Sequence, residues 1–408
     1  MRGAPLIVER SPAEMARVHR SQSCHDFAEA VAETLCRSHV RLVTAVPGHG
    51  ATQAYAAWQQ QRDFGPPFSL HEEVAVGMAH GAALLGHRAT ALLKAHGFLK
   101  AANAIADSLA AGTTEGLLLV VFHDPTGAHS DSVLDIEGAA RELGLPVHRP
   151  EAGRHLQAVP NALRRSEAQE LPHLVILEAD AVSEEISTVP DGLAPPTVEY
   201  ERDAARHVCC PLFAQYQHAV FRARREGEDP DAVPRPDLPT VPDELPDAYR
   251  AVAEQYRPLL RALADQPRGV TTGDTTVGTL FALPPVKAID LCTYMGGSLP
   301  LALGAEAVGE APAWAVTGDF GFVAAGHLGL LEAQQRGLSL KVVLLDNGRA
   351  HATGGQPVAE EAVDAVLGGY TEHVISLDHP TEPAACREAL ERAADRANLA
   401  IVRARYRD

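Results

Sequence analysis

Basic residues are scarce in this chain: 35 Lys and Arg stand against 53 Asp and Glu, for a formal net charge of -18. Nucleic acid and anionic lipid are held by clustered Lys and Arg that displace counterions, so no nucleic-acid partner is expected. Long apolar runs are missing as well. None approaches the ~20 residues that cross a bilayer, and the opening MRGAPLIVERSPAEM lacks the apolar segment of a secretory signal. No membrane partner and a cytoplasmic location follow as expectations. The six cysteines, Cys24, Cys36, Cys209, Cys210, Cys292 and Cys386, form no CxxC pair and no regular spacing. Neither a zinc site nor a sequence-local iron–sulfur cluster is written there, and free buried thiols in a reducing compartment are expected.

What the chain has is length, 408 residues, and an apolar content of 46%, enough for two domains that each build a core. Short apolar runs alternate with longer helix-period stretches: RLVTAVPG, EEVAVGMAHGAALLG, RATALLKA, LLLVVFHD and HLVILEAD in the first half. VKAIDL, AWAVTGD, LKVVLLDN, HVISLD and LAIVRARY follow in the second. That rhythm predicts an α/β fold with two parallel sheets, each covered by helices on both faces. Between the series, EGEDPDAVPRPDLPTVPDELPD is dense in Pro and acid and reads as an extended connection that packs no core. Before it, RHVCCPLFAQYQHAVFRARR reads as strand, turn and helix; after it, AYRAVAEQYRPLLRALAD reads as an amphipathic helix. The expected organisation is a first domain at 1–190, a bridge and linker at 191–265 and a second domain at 266–408.

In parallel α/β sheets ligands gather at the carboxyl ends of strands. Asp319 and Asn347 both stand at such ends, with Gly318, Gly321 and Gly348 beside them. A charged and a neutral oxygen ligand, joined by a backbone carbonyl and phosphate oxygens, suit six-coordinate Mg2+. Glycines admit a diphosphate close to the backbone, and a helix expected to start near Ala324 would favour its charge. The spacing, with Asn347 nearly thirty residues after Gly318-Asp319-Phe320, resembles the cofactor signature of thiamine diphosphate enzymes, in which Phe320 replaces a glycine. The resemblance implies that Asp319, Asn347 and the carbonyl of Arg349 hold Mg2+ on the diphosphate. YMGGSLPLALGAEA resembles a further segment of that family, and places Met295, followed by Gly296, as the wedge between the two rings of the cofactor. The loop TTGDTTVG, with Thr272, Gly273 and Thr275, offers hydroxyls and backbone amides to the other face of the diphosphate.

Thiamine chemistry also requires a carboxyl group at the pyrimidine nitrogen. SLHEEVAVGMAHGAALLG is similar to the family segment that carries it, with Gly81 nine residues after Glu72. Glu72 is the implied catalytic acid and Glu73 its solvated neighbour. Loops with His49, His96 and His123, and His129 behind the last, end at the same predicted sheet edge. Together with His351 they are candidates for proton transfer, whereas His327 reads as structural.

The loop NGRAHATGGQP is similar to phosphonopyruvate and sulfopyruvate decarboxylases, while KAHG, HDPTGAHSDSVLD and HVCCPLFAQYQH resemble the large subunit of indolepyruvate ferredoxin oxidoreductase. The cysteine-rich tail of that subunit is not found before Asp408. The expected activity is therefore non-oxidative decarboxylation of a 2-oxo acid, whose enamine is protonated and released as aldehyde. Two alternatives stay open: carboligation to a second carbonyl or acyl acceptor, and a thiamine-binding subunit whose redox centres lie on a partner. Lys94, Lys100 and Arg349 form no clamp for a phosphonate or sulfonate, so an aromatic or other apolar substrate side chain is favoured. The resemblance implies a homodimer or homotetramer, with the cofactor between the first domain of one subunit and the second domain of its partner.

Overall fold

The computed structural model describes residues 25–62, 67–150 and 155–407; residues 1–15, on which the reading of a missing secretory signal rests, and Cys24 lie outside them. Five strands form the first sheet: β1 (Leu42–Ala45), β2 (Ala89–Lys94), β3 (Leu117–His123), β4 (Val147–His148) and β5 (His173–Glu178), in the order β1-β2-β3-β5-β4. Six form the second: β6 (Val270–Gly273), β7 (Leu291–Cys292), β8 (Ala313–Gly318), β9 (Lys341–Asp346), β10 (Val374–Leu377) and β11 (Ala400–Arg405), in the order β10-β11-β9-β8-β6-β7. Every pairing within both sheets is parallel. The central strands are mostly apolar and buried from end to end in β8 and β9, as strands with helices on both faces require. No helix among the described residues is long and apolar enough to cross a membrane.

Helices α1 (Phe27–Arg37) and α2 (Ala51–Arg62) cover one face of the first sheet and pack into a cluster with Val43, Leu92, Val120 and Leu177. Asp26 starts α1 with a capping box, accepting the Glu29 N–H at 2.8 Å while the Glu29 carboxylate accepts its own N–H at 3.3 Å. On the other face lies α3 (Glu72–Leu84), whose residues 74–84 are all buried. It packs directly on α8 (Ser298–Val308) of the second half, with α4 (Ala102–Ala111), α5 (Ala158–Gln169), α6 (Ala214–Glu226) and α7 (Asp247–Ala264) between them in the chain.

Each half has a core cluster of its own, around Val43, Val120 and Leu177 in the first and Trp314, Val343 and Val402 in the second, and the pair α3 and α8 adds a third that joins them. One hydrophobic cluster runs from Leu119 and Ile176 of the first sheet through Met78 and Leu301 to Val342 and Ile401 of the second. The reason is the small residues on both helices. A Cβ on Gly304 would fall on the carbonyl of Met78, and one on Gly81 would fall on the carbonyl of Leu301, so each glycine lets the opposite backbone through.

Two local expectations change. The Pro- and acid-rich connection buries Val241 and Leu245 beside Tyr256 and Phe281, because two apolar side chains suffice to anchor an otherwise polar segment. The helix after β8 begins at Asp319 rather than near Ala324: an α turn, Asp319–Gly321, runs into a π turn, Phe322–Gly326, and then α9 (His327–Arg336). Gly318 is extended, at φ -87° and ψ 161°, so the strand passes into helix without a loop.

Candidate active site

Three neighbouring strands of the second sheet each end one residue before an oxygen-bearing side chain. Asp274 follows β6, Asp319 follows β8 and Asn347 follows β9, and the register sets Gly273 beside Val316 and Gly318 beside Leu345. Asp319 is 1% exposed. Its Oδ1 accepts the Phe320 N–H at 2.7 Å and its Oδ2 accepts the Gly348 N–H at 2.6 Å. The second bond joins the Asp and Asn loops directly.

Burial pushes the Asp319 carboxyl up to about 6 against the two N–H groups that favour its charge. A carboxylate so desolvated gains from a nearby cation. Arg407 supplies one in the protein itself, 3.6 Å from Oδ2, while also pairing with Asp346 at 2.5 Å. The Asn347 Oδ1 accepts the Arg349 N–H at 2.8 Å, and its Nδ2 donates to the Tyr256 hydroxyl. Arg349 is paired with Pro357 in a short antiparallel ladder. The Val358 N–H donates to the Gly348 carbonyl at 2.8 Å, which makes Arg349 and Pro357 a non-hydrogen-bonded pair whose carbonyls point away from the partner strand.

These residues border a cleft of about 370 Å³, lined among others by Thr275, Thr276, Met295, Phe320, Asn347 and His351. Met295 is 36% and Phe320 43% exposed, large apolar groups open to a concave space. The bridge adds Leu212, the Pro- and acid-rich connection Leu245, and α7 Tyr249 and Tyr256 to the lining. Behind Met295, Gly296 has φ +82°, and a Cβ there would lie 2.6 Å from the Gly326 nitrogen. Only glycine fits that turn.

The cleft gathers part of the expected site. Thr275, Met295, Gly318, Asp319, Phe320, Asn347, Arg349 and His351 border it. Burial, and then Arg349, lower the pKa of His351, which favours the neutral imidazole. Thr272 is instead fully buried behind the strand end, donating to the Ser298 and Trp314 carbonyls at 2.7 and 3.2 Å. Gly273 packs against Ile289. His327 sits on α9, its Nδ1 3.3 Å from the Phe322 carbonyl.

Glu72, His49, His96 and His123 are not among the cleft residues. They cluster at the carboxyl edge of the first sheet. Glu72 opens α3, with one carboxylate oxygen 2.9 Å from Lys100 Nζ and its Cγ 2.8 Å from where a Cβ on Gly97 would lie. Glu73 accepts from Asn103 at 2.8 Å. The three histidines share one neighbour, the loop of residues 124–135. His49 stacks on His129 with ring centroids 3.8 Å apart, His96 Nε2 lies 2.9 Å from Ser132 Oγ, and His123 Nε2 lies 3.2 Å from the Leu134 carbonyl.

Sequence reasoning missed Asp274, Thr276, Tyr256 and Arg407. A signal for the first was present: the tripeptide Thr-Gly-Asp occurs at 272–274 and again at 317–319. Tyr256 and Arg407 carried none, since only packing brings the first to the cleft and the second to Asp319. Among the described residues no three His, Cys, Asp or Glu side chains could together hold a metal ion. A cation here would rely on mixed oxygen donors, one carboxylate, one amide and one carbonyl. That hard set suits Mg2+, and glycines at 318 and 348 leave room for phosphate oxygens.

Two family models match the chain: the thiamine pyrophosphate enzyme N-terminal binding domain over residues 25–139 and the C-terminal binding domain over residues 272–402. A curated relative, indolepyruvate oxidoreductase subunit IorA of Methanothermobacter marburgensis, is 26% identical over 236 residues, which cover 53% of this chain and 36% of that protein. The chain thus matches little more than a third of the relative's length. Two solved structures share the fold. One is a thiamine diphosphate-dependent 4-hydroxybenzoylformate decarboxylase of Rhodococcus jostii RHA1, with a TM-score of 0.63, 14% identity, and coverage of 94% of this chain and 99% of that one. The other is a proposed thiamin diphosphate-dependent enzyme of Mycobacterium smegmatis, with a TM-score of 0.61, 13% identity, and coverage of 93% and 99%.

Proposed function

Because the chain belongs to the thiamine pyrophosphate enzymes, we propose that it decarboxylates a 2-oxo acid with an aromatic or other apolar side chain, without oxidation, using thiamine diphosphate and Mg2+. The observation that carries this reading is the cleft in which the Asp319 and Asn347 loops are joined by the Gly348 N–H while Met295 stands open beside them.

When bound, thiamine diphosphate supplies a nucleophilic carbon and an electron sink for the pair left as carbon dioxide departs. Asp319, the Asn347 amide oxygen and the Arg349 carbonyl hold the cation. Gly318 brings its backbone to the diphosphate, and the Thr275 hydroxyl adds a donor. Met295, an adaptable thioether, fills the space between the two rings. Glu72 holds a proton at the pyrimidine nitrogen. Glu72 does not line the described cleft, but its helix starts against the Met295 segment of the same chain, where the Tyr294 hydroxyl donates to the Glu73 carbonyl at 3.1 Å; the resemblance to the family, in which subunits share the cofactor, is what supports a working unit of at least a homodimer. His351, on the cleft wall, is placed to pass a proton to the departing product. The exposed apolar groups Leu212 and Tyr249 in the cleft lining support an apolar substrate, since a charged one would lose hydration there without an arginine pair to replace it.

Purified protein with thiamine diphosphate, Mg2+ and phenylpyruvate or indolepyruvate should release carbon dioxide and the matching aldehyde with no electron acceptor present. The resemblance to the oxidoreductase subunit favours a second reading, a thiamine-binding subunit with redox centres on a partner. Carbon dioxide released only when an electron acceptor and its carrier protein are added would replace the first reading by the second.

A further inference from the structure

Asp274 is fully buried at the end of β6, beside the strand that carries Asp319. Its Oδ2 accepts the Gly296 N–H at 2.8 Å and the Thr317 hydroxyl at 2.7 Å. These donors belong to the two segments that frame the cleft: Gly296 follows Met295, and Thr317 stands two residues before Asp319. A Cβ on Gly321 would lie 2.8 Å from the same oxygen, so the first turn after Asp319 also packs against it. Oδ1 is buried with no hydrogen-bond partner. One oxygen of the carboxyl group thus collects a donor from each segment. Burial pushes it up to about 7, in keeping with an acceptor held away from water.

We infer that Asp274 is a positioning residue, which through Gly296 N and Thr317 Oγ1 fixes Met295 opposite Asp319 and so presets the cleft to the cofactor before it binds. The inference rests on the proposed thiamine diphosphate site. The ligand meets a wedge and a metal edge already in register, and affinity is gained because neither segment has to be ordered on binding.

The test is isothermal titration of thiamine diphosphate with Mg2+ into wild type, Asp274→Ala, Asp274→Asn and Thr317→Val, with near-ultraviolet circular dichroism of the bound cofactor as a second reading. Asp274→Ala should lose about tenfold or more in affinity and the dichroic signal, as expected when hydrogen bonds to a charged acceptor disappear. Asp274→Asn keeps an oxygen that can accept from both donors and should stay within about threefold of wild type, a rescue that loss of charge alone would not give. Thr317→Val should fall between them, and it decides the matter if Asp274→Ala does not fold. Wild-type affinity and signal in Asp274→Ala or Thr317→Val would overturn the bracing role, as would an Asn variant as weak as Ala. Failure of the wild type to bind thiamine diphosphate would instead overturn the cofactor site itself.

Discussion

A carboxyl group raised by burial to about 7, as Asp274 is, leaves a pH signature on stability. In the unfolded chain an aspartate titrates near 3.9, so between roughly pH 4 and 7 the folded protein binds the extra proton and stability falls as pH rises. The cofactor-free protein should therefore lose stability across that window relative to Asp274→Asn, which has no proton to lose. The slope is at most about 1.4 kcal/mol per pH unit. Urea midpoints of both proteins at pH 4.5 to 8 measure it, and parallel profiles would remove Asp274 as the source. A site residue that helps the ligand and weakens the empty protein is an ordinary trade between function and stability. The signature was half legible: Thr-Gly-Asp at 272–274 reads as a turn until the sheet order makes it the neighbour of the same tripeptide at 317–319.

At the scale of elements, the contact of α3 with α8 sets how the two halves meet. Gly304→Ala adds a methyl where the Met78 carbonyl already lies, with Ala82 N 3.1 Å away. Intrinsic helix propensity favours Ala by about 1 kcal/mol, while overpacking against backbone costs about 1–3 kcal/mol. The clash should win, since the neighbouring atoms are backbone in a helix and cannot swing aside. A thermal melt of Gly304→Ala should show a lower midpoint than wild type, and an unchanged or higher one would mean that the helices are not in contact there. Gly81 was noticed in the sequence only for its distance from Glu72. Its close approach to Leu301 could not be read there, because nothing local to α3 says which helix it meets.

For the whole molecule, the decisive relation is between Glu72 and the cleft. The described cleft contains no residue of the first sheet, while the helix that Glu72 opens meets the Met295 segment of the same chain through the Tyr294 hydroxyl, 3.1 Å from the Glu73 carbonyl. If subunits share sites, two inactive variants should complement. Glu72→Gln and Asp319→Asn each lack one half of every site; in a mixed dimer one of the two sites is built from two unaltered halves. Mixing after mild dissociation, or co-expression, should restore decarboxylase activity to about a quarter of wild type, from half the dimers being mixed with one good site each. Inactive mixtures that contain mixed dimers would show that each chain completes its own site.

The sequence by itself determined the two parallel sheets and the Asp319–Asn347 pair, because alternation of apolar runs and a short motif at strand ends are local properties that survive without neighbours. It also located Met295 and Glu72 by the segments around them. Only the tertiary structure decided that three strand ends rather than two carry oxygen-bearing side chains side by side, that Tyr256 reaches the cleft and Arg407 reaches Asp319, that Thr272 lies behind the strand end, and that His49, His96 and His123 meet one loop. Those facts depend on strand order and helix packing, which arise from contacts between residues tens to hundreds of positions apart. No local pattern encodes them.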